Sequence, residues 1–467
     1  MSSEQLRQTA GRNAAASTEK KSKGRFRLFG LDVFIGGGFD IVYMVLVLML
    51  LTIGLVMMFS ASYISAKYDA STGYDATYYI KRQLGFALVG VALMFAVSKI
   101  NPELIKKATP VIAAISLILL ILVLIHPYRL DGKEEFRRWL KLGIVFQPSD
   151  VAKLGIIMTF AWLLEKYRHQ IETKWWFALV LFGLLGFLCV LIYLEKHLSC
   201  TILIMLIGIC MLYLGGVDNR WFILGITAGI VLIAVVVLFR DKILDPYQAE
   251  RIDSFIHKDY EDTDTRWQTN QSLFALGSGG FFGLGLGNSR QKYLYMPEPQ
   301  NDFIFAIVGE ELGFFRSVLI ILLFAALVFR GFVIASRAKS MFERLLVLGI
   351  SLQVGLQTIL NILVVTDLMP NTGISLPFFS YGGTALVMQL VEMGIVLAVS
   401  RSGDRKKRAK TDALRKKDFI RNGRHGRSHQ SGACRCRLHK RKLSQGGDTF
   451  CRHCRQNGGS ACSRRRI

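Results

Sequence analysis

Seventeen residues, PEPQNDFIFAIVGEELG (Pro297–Gly313), hold four carboxylates, Glu298, Asp302, Glu310 and Glu311, on what otherwise reads as the start of a membrane-spanning helix. An aspartate at the centre of such a helix costs about 2.5–3.5 kcal/mol on insertion scales, so a chain that keeps several acids there has a use for them. Asp302 stands directly before the apolar run Phe303-Ile304-Phe305. Two readings fit that place: a helix N-cap, where Asp is favoured, and a general base at the mouth of a membrane cavity. They are compatible, because a capped residue is also a rigid one.

Three further stretches carry chemistry. Just upstream, glycines at 277, 279, 280, 283, 285 and 287 are too many for a stable helix. Such a loop can turn backbone N–H groups toward an anion, with Arg290 and Lys292 adding positive charge. No Gly-Lys-Ser/Thr follows, so it is not a nucleotide-binding P-loop. In RRWLKLGIVFQPSDVAKLG (Arg137–Gly155), Asp150 and Lys153 share one face if a helix starts at Ser149. The plain reading is a snorkelling lysine paired to an N-terminal aspartate; the functional one is a cationic cluster for a phosphate-bearing lipid. In MPNTGISLPFFSYGGTAL (Met369–Leu386), Pro370, Pro377, Gly382 and Gly383 break the backbone at membrane depth. Such breaks are tolerated only when buried in protein or lining a cavity, so a re-entrant element beside the glycine-rich loop is expected.

The elements that must position these residues are membrane helices. The chain has 467 residues, 52% of them hydrophobic, gathered in blocks long enough to cross a bilayer. About ten spans are expected, at 40–60, 84–100, 109–126, 151–166, 176–193, 198–214, 221–239, 304–329, 344–366 and 383–400, giving an all-α polytopic membrane protein. A long external loop, 240–303, joins the seventh and eighth spans, and 127–150 and 367–382 are the next most distinctive loops. The chain divides into a basic cytoplasmic segment 1–39, a membrane domain 40–400 and a basic tail 401–467. The tail holds 22 Lys and Arg against 4 Asp, which is +18 of the +24 formal charge. Charge placed this way reads as cytoplasmic anchoring of both termini, with no nucleic-acid partner. Runs such as KKSKGRFR (Lys20–Arg27) favour anionic inner-leaflet lipids. No internal repeat supports an inverted-repeat transporter, and the polar first 24 residues have no signal-peptide core. Cys189, Cys200 and Cys210 read as packing residues. In the tail, Cys434, Cys436, Cys451 and Cys454 with His439 and His453 imitate zinc spacing, but the composition reads as disordered and no metal site is assigned.

FQPSDVAKLG, the Gln271–Gly313 stretch and TGISLPFFSYGGTAL together resemble the SEDS (shape, elongation, division, sporulation) family of FtsW, RodA and SpoVE, as do Phe59–Ser62 and Arg137–Leu140. The likeness covers about 40–400 in the right order and is closest to FtsW and SpoVE. It implies a ten-helix peptidoglycan glycosyltransferase that polymerises lipid II on the external face of the plasma membrane, at the division septum. Asp302 maps to the proposed catalytic acid. Lys153 and Asp150 map to cavity-lining positions, where the family's Glu is here the shorter Asp. Arg251 matches an arginine of the long loop, and Arg138, Gln271, Lys292 and Ser380 complete the implied substrate contacts. Glu310 and Glu311, two turns deeper, are read as structural or cavity-lining rather than catalytic. The implied partners are lipid II, a class B penicillin-binding protein transpeptidase and other divisome proteins. No residues form a metal signature, although magnesium or manganese bridging Asp302 and the donor pyrophosphate is chemically reasonable. The alternatives are a lipid II flippase and a non-catalytic divisome scaffold. Two departures from the family stand out: Lys196 where Pro is usual, and Phe-Arg-Ser at 315–317 where small residues are common. Arg316 is expected to need Glu310, Glu311 or a cavity as partner, or to displace the helix boundary.

Overall fold

The computed structural model describes residues 38–128, 138–142, 144–225, 227, 255 and 264–403, with two paired strands, β1 (Arg27–Leu28) and β2 (Leu31–Asp32). Arg251, most of the expected span at 221–239, residues 240–254 of the long loop and the tail from 404 lie outside the described residues. The remainder is helical: α1 (Ile41–Tyr68), α2 (Tyr78–Val97), α3 (Pro102–Ile125), α4 (Pro148–Lys166), the short α5 (Arg168–Thr173), α6 (Trp175–Leu194), α7 (Leu198–Leu214), α8 (Asp264–Gly279), α9 (Ile304–Ser336), α10 (Met341–Val365) and α11 (Gly383–Gly403). A small hairpin, β3 (Leu140–Leu142) with β4 (Ile144–Phe146), precedes α4.

Seven of these helices, α1, α2, α3, α6, α9, α10 and α11, are long and apolar enough to cross a membrane. α7 is apolar but has 17 residues, and α4 carries Asp150, Lys153, Glu165 and Lys166. The other nine expected spans each fall on one of these helices. Local chemistry sets the boundaries. Asp40 caps α1 by accepting from the Tyr43 N–H at 3.0 Å, and Asn101 with Pro102 opens α3. Ser340 caps α10 by accepting from the Glu343 N–H. Where helices cross closely, glycine makes room: a Cβ on Gly54 would sit 2.4 Å from the Phe378 carbonyl, and one on Gly394 2.7 Å from that of Met94.

The sequence predicted an irregular 240–303 loop, with glycines from 277 onward forbidding helix. Instead α8 runs through Gly277 to Gly279. At Gly279 it packs backbone to backbone on α9, where a Cβ would lie 2.2 Å from the Gly309 carbonyl; Gly277 faces open space. Beyond it the chain turns at Gly280 (φ 54°) and meets α9 where Gly313 (φ 77°, ψ 178°) breaks that helix. Hydrogen bonds are exchanged at this crossing. The carbonyls of Glu310 and Glu311 accept from the N–H groups of Leu284 and Gly285, at 3.0 Å each, instead of from Phe314 and Phe315. Those two N–H groups donate to Gly280 and Phe281. These four groups, which the break takes out of the helix ladder, are thus all paired, the condition for irregular chain at membrane depth.

Candidate active site

Two of the four clustered carboxylates turn out to bind the chain's own loop. Glu310 accepts from the Arg290 N–H (2.9 Å), the Gln291 N–H (3.4 Å) and the Ser289 and Ser278 hydroxyls. Glu311 accepts from the Ser60 hydroxyl (2.7 Å), the Ser289 N–H (3.4 Å) and the Lys292 ammonium (2.9 Å). The anion that the glycine-rich loop was built to receive is therefore internal. Lys292 also donates to the Gly287 carbonyl at 2.6 Å, and both it and Glu311 are buried. Glu298 bonds Asn301 at the surface.

Asp302 remains, and it is not the helix cap. The cap position of α9 is Phe303, which makes no side-chain capping bond, so Asp302 lies one residue outside the helix and half-buried. What makes it rigid is its backbone. The carbonyls of Gln300, Asn301 and Asp302 accept, in turn, from the Tyr381 N–H (2.9 Å), the Ser380 hydroxyl (2.8 Å) and the Asn361 amide (2.7 Å). The broken segment at 370–382 supplies the first two, and this irregular chain is the wall against which Asp302 is set. Ser380 is itself held by accepting from the Leu376 N–H, and Gln83 of α2 bonds the backbone of Ser380 and Gly382. On the other side a buried Arg266–Asp367 ion pair (3.1 Å) and a bond from Ser272 to the Val365 carbonyl fix α8 to the end of α10. Gln271, next to Ser272, is buried in this helix.

The second group surrounds the start of α4. Asp150 is buried and Lys153 largely so, and the two are paired at 2.9 Å, three residues apart as the spacing requires. His197 Nδ1 sits 3.0 Å from Gln147 Nε2 and 3.5 Å from Ser149 Oγ. Arg138 Nη2 donates to the Lys196 carbonyl, so Lys196 stands on a left-handed turn (φ 58°) that an arginine stabilises. Beside it, in the α6–α7 turn, Glu195 is fully buried and neither carboxyl oxygen has a hydrogen-bond partner among the described residues. Burial pushes its carboxyl up to about 8, against the pull of Arg138.

A third feature escaped the sequence reading. Gln353, Gln357 and Asn361 recur every fourth residue along α10, forming one polar stripe in an otherwise apolar span. Gln353 bonds the buried Glu392 of α11 at 2.8 Å, and Glu392 lies within electrostatic reach of Lys153. Gln357 bonds Ser375, and Asn361 bonds both Asp302 and Ile374. The stripe therefore runs from the neighbourhood of Lys153 to Asp302. Its i, i+4, i+8 period was available as a signal.

Among the described residues no three His, Cys, Asp or Glu side chains converge as a metal site. A divalent cation at Asp302 would take its other ligands from substrate oxygens and water, a donor set that suits magnesium.

An all-α membrane bundle with a broken, hydrogen-bonded wall around one acidic residue defines the class of protein. The family model for the FtsW/RodA/SpoVE cell cycle proteins matches residues 41–405, and the chain belongs to that family. It is 36% identical over 370 residues to the probable peptidoglycan glycosyltransferase FtsW of Trichlorobacter lovleyi, covering 78% of this chain and 93% of that one. It is equally similar, at 36%, to stage V sporulation protein E of Bacillus subtilis, covering 78% and 97%. Among solved structures, a chain of a peptidoglycan synthase complex that coordinates polymerization and crosslinking superposes with a TM-score of 0.62 at 25% identity, over 78% of this chain and 98% of that one. The rod shape determining protein RodA of Thermus thermophilus does so at 0.56 and 25%, over 78% and 97%.

Proposed function

We propose that this chain is a peptidoglycan glycosyltransferase that polymerises lipid II at the external membrane surface, with Asp302 as general base. The observation that carries the reading is the triple clamp on residues 300–302, which fixes one half-buried carboxylate at the mouth of the bundle. In the step, Asp302 takes the proton of the acceptor sugar's 4-hydroxyl and the freed oxygen attacks the donor's anomeric carbon. The bond from that carbon to the pyrophosphate breaks, undecaprenyl pyrophosphate leaves, and the centre inverts. One base and a good leaving group suffice, unlike the paired carboxylates of glycoside hydrolysis. Lys153, held charged beside Asp150, and Arg138 supply positive potential for the phosphates. A bound magnesium or manganese ion would neutralise the departing pyrophosphate. A class B penicillin-binding protein is the partner this reading implies, with both termini cytoplasmic and the protein at the septum.

The test is glycan-chain formation from lipid II in detergent with the cognate transpeptidase, comparing wild type with Asp302→Ala and Asp302→Asn. Polymer from wild type and none from either folded variant is expected. Undiminished polymer from both variants would remove Asp302 as the base. No polymer from wild type, with a known polymerase active in the same tube, would favour the flippase reading. Loss of activity on chelation would add the cation.

A further inference from the structure

Arg316 is the one charge on the apolar stretch of α9 between the Gly313 break and Arg330. It was expected to pair with Glu310 or Glu311, but those carboxylates are engaged by the loop, and among the described residues Arg316 makes no ion pair. Its Nη1 donates to the carbonyls of Phe282 (3.0 Å) and Leu312 (3.5 Å), and the side chain is exposed. These bonds anchor the guanidinium through Nη1, while Nε and Nη2 make no hydrogen bond among the described residues, leaving the two donors of a fork that suits a phosphate. Four phenylalanines cluster beside it where the loop meets the helix: Phe281, Phe282, Phe314 and Phe315, exposed by 66, 74, 57 and 56%. Their rings pack on one another at 5.7–6.2 Å, so the surface is preshaped.

Depth follows from the helix itself. Arg330 is paired with Asp40 at 2.7 Å at the start of the apolar run of α1, which marks one edge of the hydrocarbon layer. Fourteen residues at 1.5 Å put Arg316 about 21 Å above it, in a layer about 30 Å thick. Its side chain points back toward Leu312 and so toward the nearer surface, the one on the Asp302 side. A snorkelling arginine reaches headgroup phosphates from that level.

We infer that Arg316 and the four-phenylalanine cluster form a binding site for an anionic phospholipid of the leaflet on the Asp302 side, with the phosphate on the guanidinium and the acyl chains on the rings. Charge complementarity selects an anionic headgroup, and the ring cluster beside the guanidinium, at the same level of the helix, selects a ligand that carries an apolar portion next to that head. This site is separate from Asp302 and does not depend on its role.

Native mass spectrometry of the full chain in detergent, titrated with phosphatidylglycerol and separately with phosphatidylcholine, tests it. Wild type is expected to retain one phosphatidylglycerol at least tenfold more tightly than either Arg316→Gln or the Phe281→Ala/Phe282→Ala double variant, with phosphatidylcholine indifferent to both changes. The melting temperature in lipid-free detergent checks that the variants fold, and the arginine-only variant keeps the rings intact. Equal retention by wild type and folded Arg316→Gln would overturn the site. So would displacement of phosphatidylglycerol from wild type, but not from Arg316→Gln, by undecaprenyl phosphate or by a transmembrane peptide carrying a mid-span glutamate, which would assign the arginine to those occupants instead.

Discussion

Replacing Lys292 with methionine should unlock the glycine-rich loop without disturbing the bundle. Methionine fills a similar volume but withdraws the only ammonium within bonding distance of Glu311 among the described residues. The carboxylate then keeps the Ser60 hydroxyl and one long bond from the Ser289 N–H. Removing one partner of a buried ion pair costs about 3–5 kcal/mol, because the remaining charge is stranded. Glu311→Gln should cost a similar amount by stranding the ammonium, which would retain only the Gly287 carbonyl and the Ser60 hydroxyl. The combined Lys292→Met/Glu311→Gln protein, with no stranded charge, should cost less than the two single changes summed, by at least about 2 kcal/mol. Thermal unfolding of the purified protein reads the totals, and hydrogen–deuterium exchange locates them. Faster exchange is expected in 280–292 and in the first turns of α9, with α1, α2 and α3 unchanged. Single variants that melt within about 1 kcal/mol of wild type, or a double variant that is simply additive, would refute the assignment of this pair as the lock.

Four other outcomes are expected. Glu195 ionises near 4.5 when unfolded but at about 8 when folded, so it costs stability progressively as pH rises from about 4.5 to 8; Glu195→Gln should melt like wild type at pH 5 and above it at pH 8. Asn361→Ala strands the carbonyls of Asp302 and Ile374, at about 1–3 kcal/mol each, and polymerisation should fall on the order of 100-fold in turnover, as expected for a slight misplacement of the base. Gly313→Ala places a Cβ 2.2 Å from the Gly283 nitrogen at φ 77°, which should cost more than about 3 kcal/mol and show as lost monodisperse protein in size-exclusion chromatography. Lys153→Met leaves Asp150 buried and alone, and should weaken apparent lipid II affinity more than Lys153→Arg does in the same assay.

The spans were legible because a bilayer imposes length and apolarity on every crossing segment, and α9, α10 and α11 announce themselves on those grounds alone. Asp150 with Lys153 was legible from i, i+3 spacing. α8 was not, because helix propensity counts Gly277 and Gly279 as breakers while the contact with Gly309 that rewards the small size of Gly279 is set by tertiary packing. Nor could local pattern show that Phe303 rather than Asp302 takes the cap position, or that Glu310 and Glu311 are consumed by the loop preceding them. The α10 stripe was overlooked for a simpler reason: amides carry no charge, and a search weighted toward carboxylates and lysines passes over Gln353, Gln357 and Asn361.

The bond exchange at Gly313 bears on how the protein is made. During synthesis the 280–285 turn leaves the ribosome before α9, so the acceptors and donors that α9 lacks at its break are already present when it enters the bilayer. Vectorial assembly of this kind needs the two segments in that order. A permuted chain in which α9 is translated before the turn would have to insert with four unpaired backbone groups and Arg316 unclamped, so the order of segments along the gene is itself part of what makes the Asp302 side of the bundle buildable.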